Sequence, residues 1–290
     1  MKNCVFCGGS PLTREHVWPQ WMRKFSGPAT FIERHGAYQG PTKRNVLRQD
    51  KNGEYVEVNE LRGNRTPNLH EVQVKCVCAS CNNGWMAVME TSVARHLRPM
   101  AALEPRTLSP TTKSLLAAWS YKSFLMYDQH LPSDDRIFTA QDLRGFKKLK
   151  TLPWNSRIYM GWSDSPLATI AMWHEPQLLC DPHLDPQETL AQPRNLATSY
   201  LAVQGIYFIQ QYFKADVPWT PMSRKHIDLR SRIGIESTPA QPIWPATKTA
   251  LQWPPKRSSH AQLEQARLSL FEAMSELPVL ARRVDSIDNA

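Results

Sequence analysis

Cysteine spacing constrains this chain more than any other feature of its sequence. Cys4-Val-Phe-Cys7 and Cys78-Ala-Ser-Cys81 are both C-x2-C pairs, and 70 residues separate them. Two intervening residues form a turn that points both sulfurs inward, so each pair can hold one edge of a tetrahedral zinc site. Cys4, Cys7, Cys78 and Cys81 together predict one structural Zn²⁺. Cys76 and Cys78 compete for the third position, and Cys78 is preferred because only it makes C-x2-C with Cys81. In an extended stretch Cys76 points the same way as Cys78 and lines the site. Cys180 reads as a small buried hydrophobe.

At 290 residues, 41% apolar and 21% charged, the chain has material for one large or two modest globular domains. Cys4 and Cys7 arrive before any apolar run of the signal-peptide kind, and no stretch has the roughly 18 apolar residues of a membrane span. A soluble, cytoplasmic protein with no membrane partner is expected, and there cysteines serve as thiols or metal ligands. The formal charge is +9, and residues 1–100 hold most of the excess, with 14 Lys and Arg against 8 Asp and Glu. Positive charge on the cysteine-bearing part favours a nucleic-acid partner. Arg14, Arg23, Lys24, Lys43, Arg44 and Arg48 are the expected phosphate contacts, acting as a group through salt-sensitive, non-specific affinity.

The fold expected is α+β, with an N-terminal zinc module over residues 1–104 and a mixed α/β domain over 105–290. In the first part, a short strand carries Glu15-His16. Asn52-Gly53 turns a hairpin into the alternating Tyr55–Val58, and Val72, Val74 and Cys76 form a strand into the second cysteine pair. Met86, Met89, Val93, Leu97 and Met100 then make one apolar stripe of a helix. In the second part, Ser109-Pro110 starts a helix of about five turns, and Thr139-Ala-Gln-Asp142 reads as a capping box. Residues 157–162 and 167–174 read as a hairpin, Tyr200–Phe213 as strand with a bend at Gly205, and Leu263, Leu270, Met274 and Leu277 as one face of a last helix. This part is expected to serve target recognition or dimerisation.

Phosphodiester hydrolysis needs an activated water, relief of charge on the phosphate and support for the leaving oxygen. A neutral histidine removes a proton from water near physiological pH, and His16 supplies one. A divalent cation held by hard oxygens does the rest, and Glu15 and Asn82 supply those. Asn82 also suits a helix N-cap, and Asn83 is its substitute should the register slip by one. Trp18, Trp21 and Trp85 read as packing around the cysteine core.

This pattern of C-x2-C, acidic-His and C-x2-C-Asn resembles the HNH, or ββα-metal, endonucleases. Within them it is most similar to the zinc-bearing type that includes phage endonuclease VII. Thr13–Trp21 with Cys81–Met86, and Trp244-Pro245 with Trp253-Pro254-Pro255, also resemble a group of bacterial HNH-like proteins. The resemblance covers the first third of the chain. It implies a treble-clef zinc scaffold on the four cysteines, His16 as general base, and a catalytic Mg²⁺ or Mn²⁺ on Glu15 and Asn82. Glu15 stands where that family usually has Asp, the insert between the cysteine pairs is longer than usual, and no histidine follows Cys81, which makes the site HNN-like. A DNA endonuclease is therefore expected, with a homodimer or two visits needed to cut both strands. The alternatives are a non-catalytic zinc module binding nucleic acid or protein, and an RNase or toxin-like effector.

Overall fold

The computed structural model describes residues 3–24, 43–49, 55–61, 72–131, 133, 136–150, 152–168, 170–177, 196–214, 238–245 and 248–266. The expected Asn52-Gly53 turn, Cys180, and the apolar positions Leu270, Met274 and Leu277 lie outside them.

The N-terminal part is an antiparallel ribbon feeding a helix. Strand β1 (Leu12–His16) pairs with β4 (Gln73–Cys78), and one extra residue of β4 is accommodated between the Thr13–Val77 and Glu15–Val74 pairings. Between them, β2 (Lys43–Gln49) and β3 (Tyr55–Leu61) form an antiparallel pair. Past Cys78 the chain coils at once: a helical turn over Ala79–Cys81, a wider π turn over Asn82–Met86 with Gly84 out of helical geometry, then α1 (Ala87–Ala101). The expected stripe is real, since Met86, Met89, Val93, Leu97 and Met100 are all buried. Asn82 differs from the expected N-cap. Cys78 occupies the cap position and Asn82 has right-handed helical angles inside the coil, because the first turn already begins at Ala79.

Helix α2 (Pro110–Asp128) is the centre of the molecule, and every residue from Leu116 to Asp128 is buried. Ser109 caps it, its Oγ accepting the Thr112 N–H at 3.1 Å, with Pro110 at the first position. A helix buried all round needs its polar groups satisfied internally. Ser120 and Ser123 accordingly donate to the Ala117 and Trp119 carbonyls of their own helix, at 3.0 and 3.2 Å. Asp128 accepts from the Ile137 and Phe138 N–H groups and from Nε2 of buried His174, whose Nδ1 lies 2.6 Å from Ser199 Oγ.

After β5 (Arg106–Leu108), α2 and α3 (Ala140–Leu149), the chain builds an antiparallel sheet. Its strands are β6 (Ser156–Trp162), β7 (Ile170–Gln177), β8 (Leu196–Val203), β9 (Ile206–Phe213) and β10 (Gln241–Trp244), in the order β10-β6-β9-β8-β7. The capping box on α3 is present in both directions between Thr139 and Asp142. The expected hairpin of 157–162 with 167–174 does not form: β6 pairs with β9 and β10, while β7 pairs with β8 at the far edge. The cause is the tighter hairpin β8–β9. Gln204 and Gly205 both take positive φ (50° and 85°), as a two-residue turn between right-twisted strands requires, and this places β9 between β6 and β8. The 163–168 connection then lies over the hairpin tip, with the Ser163 N–H donating to Gly205 O and the Gly205 N–H to Ala168 O, each 2.8 Å.

Alternation along β8 and β9 assigns one face to each of two clusters. Leu201, Val203, Ile206 and Phe208 join the main core against α2; Tyr200, Ala202, Tyr207 and Ile209 pack with Leu263 of a short helix over 260–266, here α4. The main core runs without a break from Cys4, Trp18 and Met86 through Trp119 to Phe208 and Tyr212, across the boundary expected near residue 104. Strand β11 (Leu251–Trp253) pairs with β5, and the Trp253 indole N–H donates to Met100 O at 3.0 Å. The protein is thus a mixed α and β fold whose described strand pairings are all antiparallel. No helix among the described residues is long and apolar enough to cross a membrane.

Gly161 tests the packing of this sheet. A methyl group added there would run into the ring of Tyr207, which is buried and held by a 2.6 Å bond to Ser258 Oγ. Gly161→Ala is expected to lower stability by about 1–3 kcal/mol, visible as an early thermal transition; an unchanged melting curve would contradict the close approach.

Candidate metal centre and adjoining polar site

The two cysteine pairs are shaped by different local structures. In Cys4–Gly9 the Gly8 N–H donates to Cys4 O (2.8 Å) and the Cys4 N–H to Gly9 O (2.9 Å), closing a loop that needs φ of +74° at Gly8. The Gly9 N–H points at Cys7 Sγ, 3.4 Å away. In Cys78–Cys81 the spacing is that of a helical turn, with Cys78 at the cap and Cys81 inside. All four sulfurs lie within 4.8 Å of one another, with Cys7 3.5 Å from Cys78 and 3.6 Å from Cys81. A tetrahedron with metal–sulfur bonds of about 2.3 Å has edges of about 3.8 Å, so the cluster has the size and donor set for one thiophilic metal ion. Cys76 stands outside it; its carbonyl accepts the Val5 N–H at 2.9 Å and burial pushes its thiol up to about 12.

Within the cluster the thiols differ. The Cys81 backbone N–H pulls Cys78 down to about 7, whereas burial pushes Cys81 up to about 12. A metal ion binding at neutral pH must therefore expel protons.

Glu15, His16 and Asn82 lie on the ribbon and the first helical turns beside the cluster. Asn82 Nδ2 reaches across to β1, donating to Thr13 Oγ1 (3.2 Å) and Arg14 O (3.4 Å), and the amide also acts on the Glu15 carboxyl. Asn83 is exposed, so Asn82 is the asparagine that faces the ribbon. The half-buried His16 ring is gripped from two elements. Gln73 of β4 places Nε2 2.6 Å from His16 Nε2, and Gln20, in the short 3-10 turn Gln20–Lys24, lies 3.2–3.3 Å from both ring nitrogens.

Glu15 is 7% exposed, and its partner is Lys122 of α2, 3.4 Å away; Lys122 also meets Glu90 of α1 at 2.6 Å and is itself fully buried. Two carboxylates share one ammonium, leaving an excess negative charge when all three are ionised. Both titrations express it. Burial raises Glu15, with Glu90 adding to the rise and Lys122 opposing it. Burial alone would lower Lys122, but Glu90 and Glu15 outweigh it and hold the ammonium charged. Gln20, Gln73, Glu90 and Lys122 were not singled out from sequence. Lys122 did carry a signal: it is the one cation in the apolar run from Leu115 to Tyr127, and a lysine in such a helix must find a carboxylate.

Of the six expected phosphate contacts, Arg14 is exposed beside the site. The side chains of Arg23, Lys24, Lys43, Arg44 and Arg48 lie outside the described residues, although Lys43, Arg44 and Arg48 belong to β2. Trp18 is fully buried, Trp21 packs near Trp119 (6.5 Å between centroids), and Trp85 stands edge-on to Phe6 at 5.1 Å.

Two outcomes are expected. Apparent zinc affinity, measured against a chromophoric chelator, should rise between about pH 6 and about pH 8 as the thiols lose protons; a flat profile would exclude thiolate ligation. Lys122→Met strands two buried carboxylates and should destabilise the chain by about 3–5 kcal/mol in denaturant titration, whereas a loss below about 1 kcal/mol would deny the buried pair. No protein-family model, curated protein or solved structure matches the chain.

Proposed function

We propose that this protein is a metal-dependent endonuclease of the HNH, or ββα-metal, type acting on DNA in the cytoplasm, built on a treble-clef scaffold with structural zinc on Cys4, Cys7, Cys78 and Cys81. One observation carries the reading. The motif's acid and asparagine, Glu15 and Asn82, interact where a two-stranded ribbon and a helix start lie beside a four-sulfur cluster, with His16 next to Glu15 on the same strand.

The donor set fits a hard divalent cation. Mg²⁺ needs only one or two carboxylates beside waters and substrate phosphate; Glu15 offers a carboxylate, Asn82 an amide next to it, and the Glu15–Lys122–Glu90 group has negative charge to spare. Such an ion, when bound, stabilises charge on the phosphodiester and its leaving oxygen. The chain's own residues do the remaining work. His16 takes the proton of the attacking water on an imidazole nitrogen, with Gln73 and Gln20 fixing the ring plane. Asn82 donates from Nδ2 to Thr13 Oγ1 and Arg14 O, which keeps its amide beside Glu15. Arg14 stands ready for the phosphate backbone. Two-strand cutting would use two copies of the chain or two visits.

The ion pair between Glu15 and Lys122 favours a second reading, because an acid already engaged by an internal ammonium can serve a purely structural end. That reading is a zinc module that binds nucleic acid or protein without cutting. Plasmid cleavage by wild type and His16→Ala, with Mg²⁺, Mn²⁺ or EDTA and with zinc content measured, separates them. Metal-dependent cutting lost by about 100-fold or more in a zinc-replete His16→Ala protein is expected. Equal cutting by both proteins would sink the histidine's role, zinc-replete wild type with no cutting would establish the binding module, and RNA cut with DNA intact would make it an RNase.

A further inference from the structure

Between residues 143 and 157 the chain carries Arg144, Lys147, Lys148, Lys150 and Arg157 and no Asp or Glu. On α3, Leu143 and Phe146 are buried, while Arg144 and Lys148 sit one turn apart on the exposed side. Cations in a last turn suit the helix dipole, which accounts for Lys147 and Lys148. Arg144, a turn earlier, donates from Nε to Ala140 O at 3.1 Å and stands at i,i+4 spacing from the like charge of Lys148; the dipole does not account for that pairing of charges, nor for what surrounds them. Four large apolar side chains are exposed among the described residues, and two of them, Leu149 and Trp154, fall in this segment. Leu149 (65% exposed) and Trp154 (79%) flank Lys150 in sequence, and Val88 (66%) lies one helical turn beyond Trp85. Lys150 Nζ stands over the Trp85 ring at 5.1 Å, joining the end of α3 to the π turn that begins at Asn82.

We propose that this surface is a platform for single-stranded nucleic acid, with Trp154 stacking on a base, Arg144, Lys147 and Lys148 meeting phosphates, and the strand passing Lys150 and Trp85 toward Asn82. Charge identifies an anionic partner, and the exposed indole identifies its form. Bases in a duplex are already stacked, so only an unpaired base gains from a new aromatic face. Continuity with Asn82 gives the strand a destination, and for that alone the proposal rests on the nuclease reading.

The test uses the full chain, zinc-loaded, with a fluorescent oligothymidylate read by anisotropy over a range of KCl. Trp154→Ala should weaken binding about tenfold with the salt slope unchanged. Lys147→Gln/Lys148→Gln should lower the slope of log affinity against log salt by about 1.4, two phosphates at about 0.7 each. The substituted side chains lie on the surface, so zinc content and melting temperature should stay at wild-type values. No binding by wild type, or wild-type binding by both variants, would overturn the platform. A duplex of equal length bound as tightly, with the same loss in Trp154→Ala, would overturn its single-strand character. Trp154-dependent pelleting with anionic phosphatidylserine vesicles, with oligonucleotide binding untouched by the substitutions, would replace it with a membrane surface. Oligothymidylate binding that survives in a wild type unable to cut would touch the nuclease reading alone, whereas cutting with Trp154-independent binding would touch the platform alone.

Discussion

The ammonium of Lys122 is sealed from solvent, and it is the point at which three elements meet: the ribbon through Glu15, α1 through Glu90, and α2 through its own backbone. An unpaired charge at that depth is prohibitively costly, so α2 can pack centrally only in the one register that brings Lys122 between the two carboxylates. Apolar surface alone would let a helix this uniformly greasy slide or rotate. A buried ion pair selects among such packings even where it adds little net stability. The remaining architecture follows, with the cysteine-bearing ribbon and the five-stranded sheet sharing one continuous core with α2.

Local chemistry was legible in the sequence wherever it acted over a few residues. Ser109-Pro110 and Thr139–Asp142 set helix starts through bonds to the backbone next to them, and the methionine stripe of α1 needed only a period of 3.6. The choice of Cys78 over Cys76 was equally local, since C-x2-C spacing is a property of one turn. What could not be read were decisions made at a distance. Residues 157–162 and 167–174 each have strand character, but their pairing depended on competition with the β8–β9 hairpin, won by the geometry of Gln204 and Gly205. Glu15 illustrates the same limit at the site: its motif position was plain, whereas its partner lies 107 residues away.

A second buried network shows how chemistry-bearing residues can serve the fold. Ser199, His174 and Asp128 are linked through both imidazole nitrogens, a combination that elsewhere performs nucleophilic catalysis. Here all three are inaccessible, and Phe138 stacks on the imidazole at 5.8 Å. Asp128 spends its remaining capacity on the Ile137 and Phe138 N–H groups. The network ends α2, holds the chain that follows it, and anchors β7 and β8. Residue identity alone would have misassigned it; burial decides.

The four-sulfur cluster joins segments separated by 70 residues. A metal ion there acts as a cross-link, and closing a loop of that length in the unfolded chain is worth on the order of 4 kcal/mol in chain entropy. The logarithm matters more than the total. Doubling the enclosed segment changes the closure term by only about 0.6 kcal/mol, so the staple is nearly indifferent to how much chain it encloses. A chain stapled in this way could carry a longer, shorter or rewritten stretch between the two pairs while the ribbon, the helix and the polar residues beside the four sulfurs kept their places.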